Sequence, residues 1–271
     1  IRRVVPVYYI YITGVFLVTN RLGEAIRHFL FLQGNGHLWA IPQEMLFYAV
    51  APLILSLIFI VLRGNRWASI LLLLAIMLAA NRWLDRSVIS LFGSTFVDLR
   101  FFLGIFVCGM MFAYLYFGFL ERFCVSASEN MVIQHLAAMT APMLLFGLSL
   151  FSIWHWVENE TVLSQSHFGF FGFASGLLIM TSALAQRQWW GRILSWVPLR
   201  SVGVVSLSLY LFHPVVINVL KRTAAHYFGF KLHGLGIFMA TLIVSYLIAV
   251  LSYLYFEKRF IKLPQKSPHS A

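Results

Sequence analysis

The sequence predicts an all-α protein, a bundle of about eight membrane-spanning helices. Of its 271 residues, 61% are hydrophobic and only 11% are charged, whereas a soluble domain carries roughly 25% charged residues. The hydrophobic residues fall into long runs, as membrane-spanning helices require. The net charge of +11 does not indicate nucleic-acid binding, because the basic residues are scattered one to three at a time between these runs, as in membrane loops.

Each predicted helix corresponds to an apolar run close to the length of about 20 residues that crosses a bilayer. The runs are residues 4–20, 43–62, 67–82, 100–118, 131–154, 168–185, 203–220 and 235–256. Pro42 stands where the second run begins, a position at which a missing backbone N–H costs nothing. Pro142 and Pro214 are expected to bend the helices that contain them. We assign residues 1–261 to one transmembrane domain and residues 262–271 to a cytoplasmic tail too short to fold.

The distribution of Lys and Arg between the two membrane faces predicts the orientation. If the chain starts in the cytoplasm, the cytoplasmic face carries twelve of the 20 basic residues and the opposite face carries eight. Since cytoplasmic loops are enriched in Lys and Arg, this excess places both ends in the cytoplasm. The basic residues on the opposite face are numerous, and an anionic ligand there accounts for them.

A group of polar and aromatic side chains stands at the start of the second apolar run: His37, Trp39, Glu44 and Tyr48. A carboxylate beside hydrocarbon is costly unless it is paired, hydrated or used, so Glu44 is a candidate site residue. The alternative is a helix-start carboxylate, which stabilises a helix by about 0.3–1 kcal/mol. His37 is either folded back beside Glu44 or solvated in its loop. Trp39 and Tyr48 suit either the floor of a sugar site or an interfacial aromatic belt.

A second polar group lies inside the seventh run. Ser206, Tyr210 and His213 are spaced by four and three residues, so they share one helix face. Such a face should point into the bundle or a watery cavity, because lipid does not solvate it. The alternative is ordinary hydrogen bonding between helices, worth around 0.6 kcal/mol per bond. Pro214 frees a backbone carbonyl beside this face, which is typical of functional breaks in membrane helices.

These motifs resemble those of the membrane acyltransferase-3 family. Residues 37–48 are similar to its His-x-Trp-Ser-Leu-x-x-Glu-x-x-Phe-Tyr signature, with Ala40 in the place of Ser. Residues 206–213 are similar to the Ser-Tyr-Ser-Leu-Tyr-Leu-x-His part of its late motif, with Leu207 in the place of Tyr. The Pro that follows this His after one residue in the motif has its counterpart in Pro214, directly after His213. Three shorter matches follow the family's order along the chain: Arg3 to Pro6, Arg100 with residues 106–114, and residues 256–259 at the end of the last run.

The resemblance implies an enzyme, a membrane O-acyltransferase. It moves an acyl group, most simply acetyl, from acyl-coenzyme A to a hydroxyl of a cell-surface or lipid-linked glycan. The implied location is the bacterial inner (cytoplasmic) membrane, with no bound cofactor, and the scattered histidines give no metal site. The family's presumed catalytic His lies on the first of ten helices; this chain is expected to lack the first two helices and to be inactive by itself.

Within that resemblance, Glu44, His213 and Tyr210 take supporting catalytic roles. The expected substrate-binding residues are His37, Trp39, Tyr48, Ser206, Arg3 and Arg100. For Arg3 and Arg100, binding of donor phosphates stands beside two alternatives, structural ion pairs and snorkelling to lipid headgroups. From a different functional class, a polytopic glycan or small-molecule transporter also accounts for a polar stripe at the membrane midplane, although no two matching halves are visible in the sequence.

Overall fold

The structure is a computed structural model, and it describes residues 2–19, 22–32, 34, 36–82, 99–120, 131–159, 168–228 and 234–260. The predicted tail, residues 262–271, lies outside the described residues. Within the described residues the regular secondary structure is helical throughout, which confirms the predicted all-α class.

The helices are numbered here along the chain. They are α1 (Val4–Thr19), α2 (Leu22–Phe29), α3 (Ala40–Ser56), α4 (Arg66–Arg82), α5 (Leu99–Leu115), α6 (Met131–Asn159), α7 (Phe168–Leu184), α8 (Trp189–Leu194), α9 (Val197–Phe228) and α10 (Gly234–Ser252). A 3₁₀ turn, Gly36–Trp39, leads directly into α3. π-helical turns continue three of the helices: Leu57–Val61 after α3, Tyr116–Leu120 after α5 and Tyr253–Glu257 after α10, which is followed by a last turn, Lys258–Phe260.

Five of the described helical stretches are long and apolar enough to cross a membrane. They are Ala40–Val61, Leu103–Leu120, Met131–Trp154, Val197–Tyr227 and Gly234–Phe260. Three shorter apolar helices accompany them: Val4–Thr19, Arg66–Ala80 and Gly169–Leu184. Every predicted apolar run therefore coincides with a helix, and the protein is an integral membrane protein.

The helix boundaries differ from the prediction where a helix continues beyond its apolar run. The predicted helix at residues 203–220 is in fact the longer α9, which begins at Val197 and ends at Phe228. Pro198 stands in its first turn, where no intrahelical N–H is needed, so the helix starts before the apolar run. The prediction also missed α2, because this helix has only 8 residues and mixes charged with apolar side chains.

The described chain forms two compact units. The first comprises residues 1–40 and 197–271, and the second comprises residues 41–196. In the first unit α9 packs along α10, and α1 packs against α2 and α9. Tyr8 and Ile12 of α1, Leu211 of α9 and Ala249 of α10 are completely buried there. This unit therefore joins the beginning of the chain to its last two long helices.

The second unit is built on apolar packing. Helix α5 packs against α4 and α7, and α7 packs against α6. Its core contains Ile58, Leu73, Val107 and Phe112, all nearly or fully buried. Gly176 of α7 lies against the Phe112 ring, and a Cβ at this position would overlap that ring. Glycine therefore permits the close approach of α5 and α7.

Candidate functional site

The polar face of α9 is organised around Pro214, which lies inside the helix. An α-helix bonds each backbone N–H to the carbonyl four residues earlier, so the group that Pro214 leaves without a backbone donor is the carbonyl of Tyr210. The Nδ1 atom of His213 lies 2.8 Å from that carbonyl oxygen. A carbonyl only accepts hydrogen bonds, so Nδ1 carries the hydrogen and Nε2 is left with a free lone pair.

His37 enters the same region from the 3₁₀ turn before α3. Its ring centroid lies 5.9 Å from that of His213 and 5.8 Å from that of Tyr210. On its other side the Nε2 atom of His37 lies 3.4 Å from the hydroxyl oxygen of Tyr11 in α1. These four residues are called the imidazole cluster here, and all of them belong to the first unit. The cluster includes Tyr11, which the sequence analysis did not select.

The electrostatic environment keeps His37 uncharged. Burial lowers the pKa of its imidazole below the usual 6.5, and the neighbouring His213 lowers the pKa further. A hydrogen bond with the backbone of Leu211 acts in the opposite direction and is the smallest of these effects. At neutral pH the ring is therefore a neutral group that is able to accept a proton.

A cavity of about 500 Å³ opens between α9 and α10 beside this cluster. Ser206, Tyr210 and His213 line it on the α9 side, as the predicted shared helix face requires. Most of the remaining lining is apolar, including Phe238 and Leu242 of α10. Lining a cavity was one of the two roles predicted for this face. The cavity has the size of small-molecule sites, which span about 300–1,000 Å³.

A buried ion pair lies in the same unit. The Arg3 Nε donates to the Glu257 Oε2 at 2.7 Å, and the Glu257 side chain is completely buried. Arg3 also donates to the backbone carbonyl of Val204. The other carboxylate oxygen, Oε1, accepts a 2.5 Å hydrogen bond from Ser208, whose hydroxyl oxygen lies 2.8 Å from that of Ser252. Arg3 thus forms a structural ion pair, which was one of the three alternatives given for this residue.

The sequence analysis did not select Glu257 or Ser208 as site residues. Both lie inside stretches that were matched to the family, Ser208 in the late motif and Glu257 in residues 256–259. The signal was therefore present. Sequence spacing alone did not predict that Glu257 pairs with Arg3, which lies 254 positions earlier in the chain.

Glu44 and Tyr48 belong to the second unit, where they bond to each other. The hydroxyl of Tyr48 donates to the Glu44 Oε1 at 2.6 Å, one helical turn away on α3. The carboxylate beside the apolar run is thus paired. Tyr48 also lines a groove of about 570 Å³, which includes Arg66 and Tyr114 among its lining residues.

The remaining predicted site residues are placed by their backbones. Trp39 ends the 3₁₀ turn that carries His37, and Arg100 stands in the first turn of α5. Their side chains lie outside the described part of the chain. Among the described residues, no group of three or more His, Cys, Asp or Glu side chains is placed to hold a metal ion.

Comparison with known proteins identifies the family. The family model described as an acyltransferase domain matches residues 1–251 of the chain. No curated protein and no solved structure matches it. The family match covers far more than half of the 271 residues, and it includes both helix-borne motifs and the imidazole cluster. The chain therefore belongs to the acyltransferase-3 family of membrane acyltransferases.

Proposed function

We propose that this protein is an O-acyltransferase that moves an acyl group, most simply acetyl, from acyl-coenzyme A to a hydroxyl of a cell-surface or lipid-linked glycan. The observation that carries the proposal is the imidazole cluster, in which two histidines and two tyrosines meet beside a cavity. Family membership supplies the reaction class, and the cluster supplies groups suited to it.

The reaction needs a base for the hydroxyl proton and donors for the developing oxyanion. In the proposed reaction His213 goes beyond the supporting role that the resemblance implies, because its Nε2 takes the proton as the glycan oxygen attacks the thioester carbonyl carbon. The carbon–sulfur bond then breaks, the ester remains on the glycan, and the coenzyme A sulfur leaves and takes up that proton. The phenol of Tyr210 is a candidate donor to the oxyanion, since its ring adjoins both imidazoles.

His37 supports the base in this scheme. Because burial keeps its imidazole neutral, it adds no positive charge that would hinder proton uptake by the adjacent His213. Tyr11 fixes the ring from the side of α1. His37 is therefore proposed to bind and orient the accepting hydroxyl, as the substrate-binding role expected from the sequence requires.

The other predicted residues take supporting roles in the proposal. Glu44, bonded to Tyr48, is proposed as an orienting carboxylate, and Tyr48 and Trp39 keep the sugar-binding role that the resemblance implies. Arg100 is proposed to bind the phosphates of the donor, since guanidinium groups bind phosphate in a bidentate manner. Arg3 is proposed to hold the fold, because Glu257 occupies it.

The proposed location is the inner membrane of a bacterium, with both chain ends in the cytoplasm. This orientation follows the excess of Lys and Arg on that face, and it gives the protein access to cytoplasmic acyl-coenzyme A. A polytopic transporter remains the competing function from another class. It moves its substrate without forming a bond, so the two functions differ in a directly measurable product.

The test is transfer of radiolabelled acetyl from acetyl-coenzyme A in membranes that contain the chain together with the two helices that the family resemblance implies. Membranes that contain the chain alone are the comparison, and they are proposed to be inactive. Label should appear as an alkali-labile ester on glycan, and His213→Ala should lower the rate by about 10²–10⁴, the usual contribution of a general base. His226→Ala is the matched control, because His226 lies on the same helix but is exposed; it should leave the rate unchanged. Glycan that crosses the membrane without gaining label would instead support the transporter.

A further inference from the structure

The imidazole cluster meets the backbone of α9 just before Pro214. The Tyr210 carbonyl lacks a backbone donor there because the nitrogen of Pro214 carries no hydrogen. An unsatisfied carbonyl inside a membrane helix is costly, so a side-chain donor at this point is strongly favoured.

His213 supplies that donor from the position directly before the proline. Its Nδ1 lies 2.8 Å from the Tyr210 oxygen, which requires the Nδ1–H tautomer. The opposite nitrogen, Nε2, is then the proton acceptor of the ring. Pro214 therefore leaves the Tyr210 carbonyl without a backbone donor and also determines which nitrogen of His213 is basic.

The other helix-interior prolines in the described part of the chain lack this arrangement. Pro52 and Pro142 also lie inside helices, and the residues directly before them are Ala51 and Ala141. Alanine has no side-chain donor. Among these three prolines, the His–Pro sequence at 213–214 is thus the one that couples a vacant carbonyl to a titratable ring.

We propose that Pro214 is a positioning residue of the acyl-transfer reaction: by withholding a backbone N–H from the Tyr210 carbonyl, it fixes His213 in the tautomer whose Nε2 accepts the substrate proton. The assignment of Nε2 as the base rests on the proposed function. The tautomer of the His213 ring does not depend on the proposed function, and it can be measured without any enzymatic turnover.

The experiment replaces Pro214 in the full chain and reads the ring nitrogens of His213 directly. Pro214→Ala restores the backbone N–H, and it favours the helix, since Ala is far more favourable than Pro in a helix interior. Nitrogen-15 spectra of histidine-labelled protein in detergent, at a pH where the rings are neutral, distinguish Nδ1–H from Nε2–H. The His213 signals are assigned by their loss in His213→Asn.

In Pro214→Ala we expect the Nδ1–H signal of His213 to give way to a mixture of tautomers. The acetyl-transfer kcat should fall by about 10-fold or more, as part of the roughly 10²–10⁴ that a positioned base contributes, with little change in KM. Replacement of Pro214 by lactic acid, which also lacks the N–H but has no ring, should keep the Nδ1–H signal and most of the rate. Pro142→Ala is the matched control and should change neither.

An unchanged Nδ1–H signal in Pro214→Ala overturns the proposal, and so does the same tautomer change in Pro142→Ala. A changed tautomer with an unchanged kcat also overturns the positioning role. If the wild-type chain together with the two implied helices transfers no acetyl group at all, the proposed function fails, whereas the tautomer measurement still decides whether Pro214 controls the ring.

Discussion

The two units of this protein differ in the polar groups that they bury. The first holds a buried ion pair, whereas the buried polar residues described in the second are uncharged: Gln43, Ser69, Gln134 and Thr181. The first unit buries polar groups together: Arg3 with Glu257, Ser208 with the same carboxylate, and His213 with a vacant carbonyl. The second unit has an apolar core of Ile, Leu, Val, Met and Phe side chains. Polar burial specifies one arrangement of groups, whereas apolar packing tolerates exchange of similar shapes. Among the described residues, the buried ion pair therefore lies in the first unit.

The largest effect on the free energy of unfolding is expected at the buried ion pair, and it tests the comparison between the two units. Arg3→Ala leaves the carboxylate of Glu257, which is 0% exposed, without its cation, and loss of one partner of a buried pair costs about 3–5 kcal/mol. Glu257→Ala should cost less, because Arg3 is 34% exposed and its guanidinium reaches headgroups or water. Denaturant unfolding in detergent measures both values.

The double variant Arg3→Ala/Glu257→Ala is the control for that asymmetry. It should be more stable than Arg3→Ala alone, because no unpaired buried charge remains. Equal stability of the double variant and Arg3→Ala would mean that the unpaired carboxylate of Glu257 carries no penalty, and the predicted asymmetry would then be wrong.

The next prediction concerns the carboxylate of the second unit. Glu44→Gln should abolish glycan acylation, a loss of at least about 10²-fold, or about 2.7 kcal/mol of barrier. The protein should still insert in the membrane, because the partly exposed pair with Tyr48 contributes only about 0–1 kcal/mol to stability. Acetyl transfer and membrane fractionation measure the two quantities. A near wild-type rate would reduce Glu44 to a helix-start carboxylate.

A smaller effect tests the apolar packing of the second unit. Gly176→Leu places a side chain where the Phe112 ring already lies, and overpacking of a core costs about 1–3 kcal/mol. Gly147→Leu on α6 is the matched control, because a Cβ at that glycine meets no atom within 4 Å. Unfolding curves for the two variants should differ, and identical curves would contradict a close contact of α5 and α7.

The smallest expected effect is the pH dependence of the first unit. The pKa of His37 is lowered in the folded protein, so below pH 6.5 the unfolded chain binds the proton that the folded chain resists. Stability therefore falls as the pH is lowered through 6.5 and toward the folded pKa, and it is fully present above 6.5. His37→Asn should flatten this part of the profile, while His226→Ala should leave it unchanged.

Much of the fold could be predicted from the sequence because the bilayer imposes one simple length rule. The runs at 131–154 and 235–256 were sufficient to predict α6 and α10. The ends were harder, since α9 continues beyond its apolar run to Phe228. Helix α2 gave no signal of this kind, because its charged residues interrupt the hydrophobic pattern.

The candidate site also has a part that could be predicted from the sequence and a part that could not. The shared face of Ser206, Tyr210 and His213 follows from helical spacing, which is a local property. Contacts of Tyr11 with His37, or of Arg3 with Glu257, join residues 26 and 254 positions apart. No spacing rule reaches that far, so these partners emerge only when the chain is folded.

The link between Arg3 and Glu257 also has a consequence for biosynthesis. At about 5–20 residues per second, a ribosome needs on the order of 10–50 seconds to add the 254 residues that separate the two. Throughout that interval the guanidinium lacks its Glu257 partner and is left to phospholipid headgroups or the insertion machinery. Closure of the first unit therefore waits for the synthesis of Glu257, and a nascent chain interrupted before Glu257 carries an unmatched positive charge that membrane proteases can recognise.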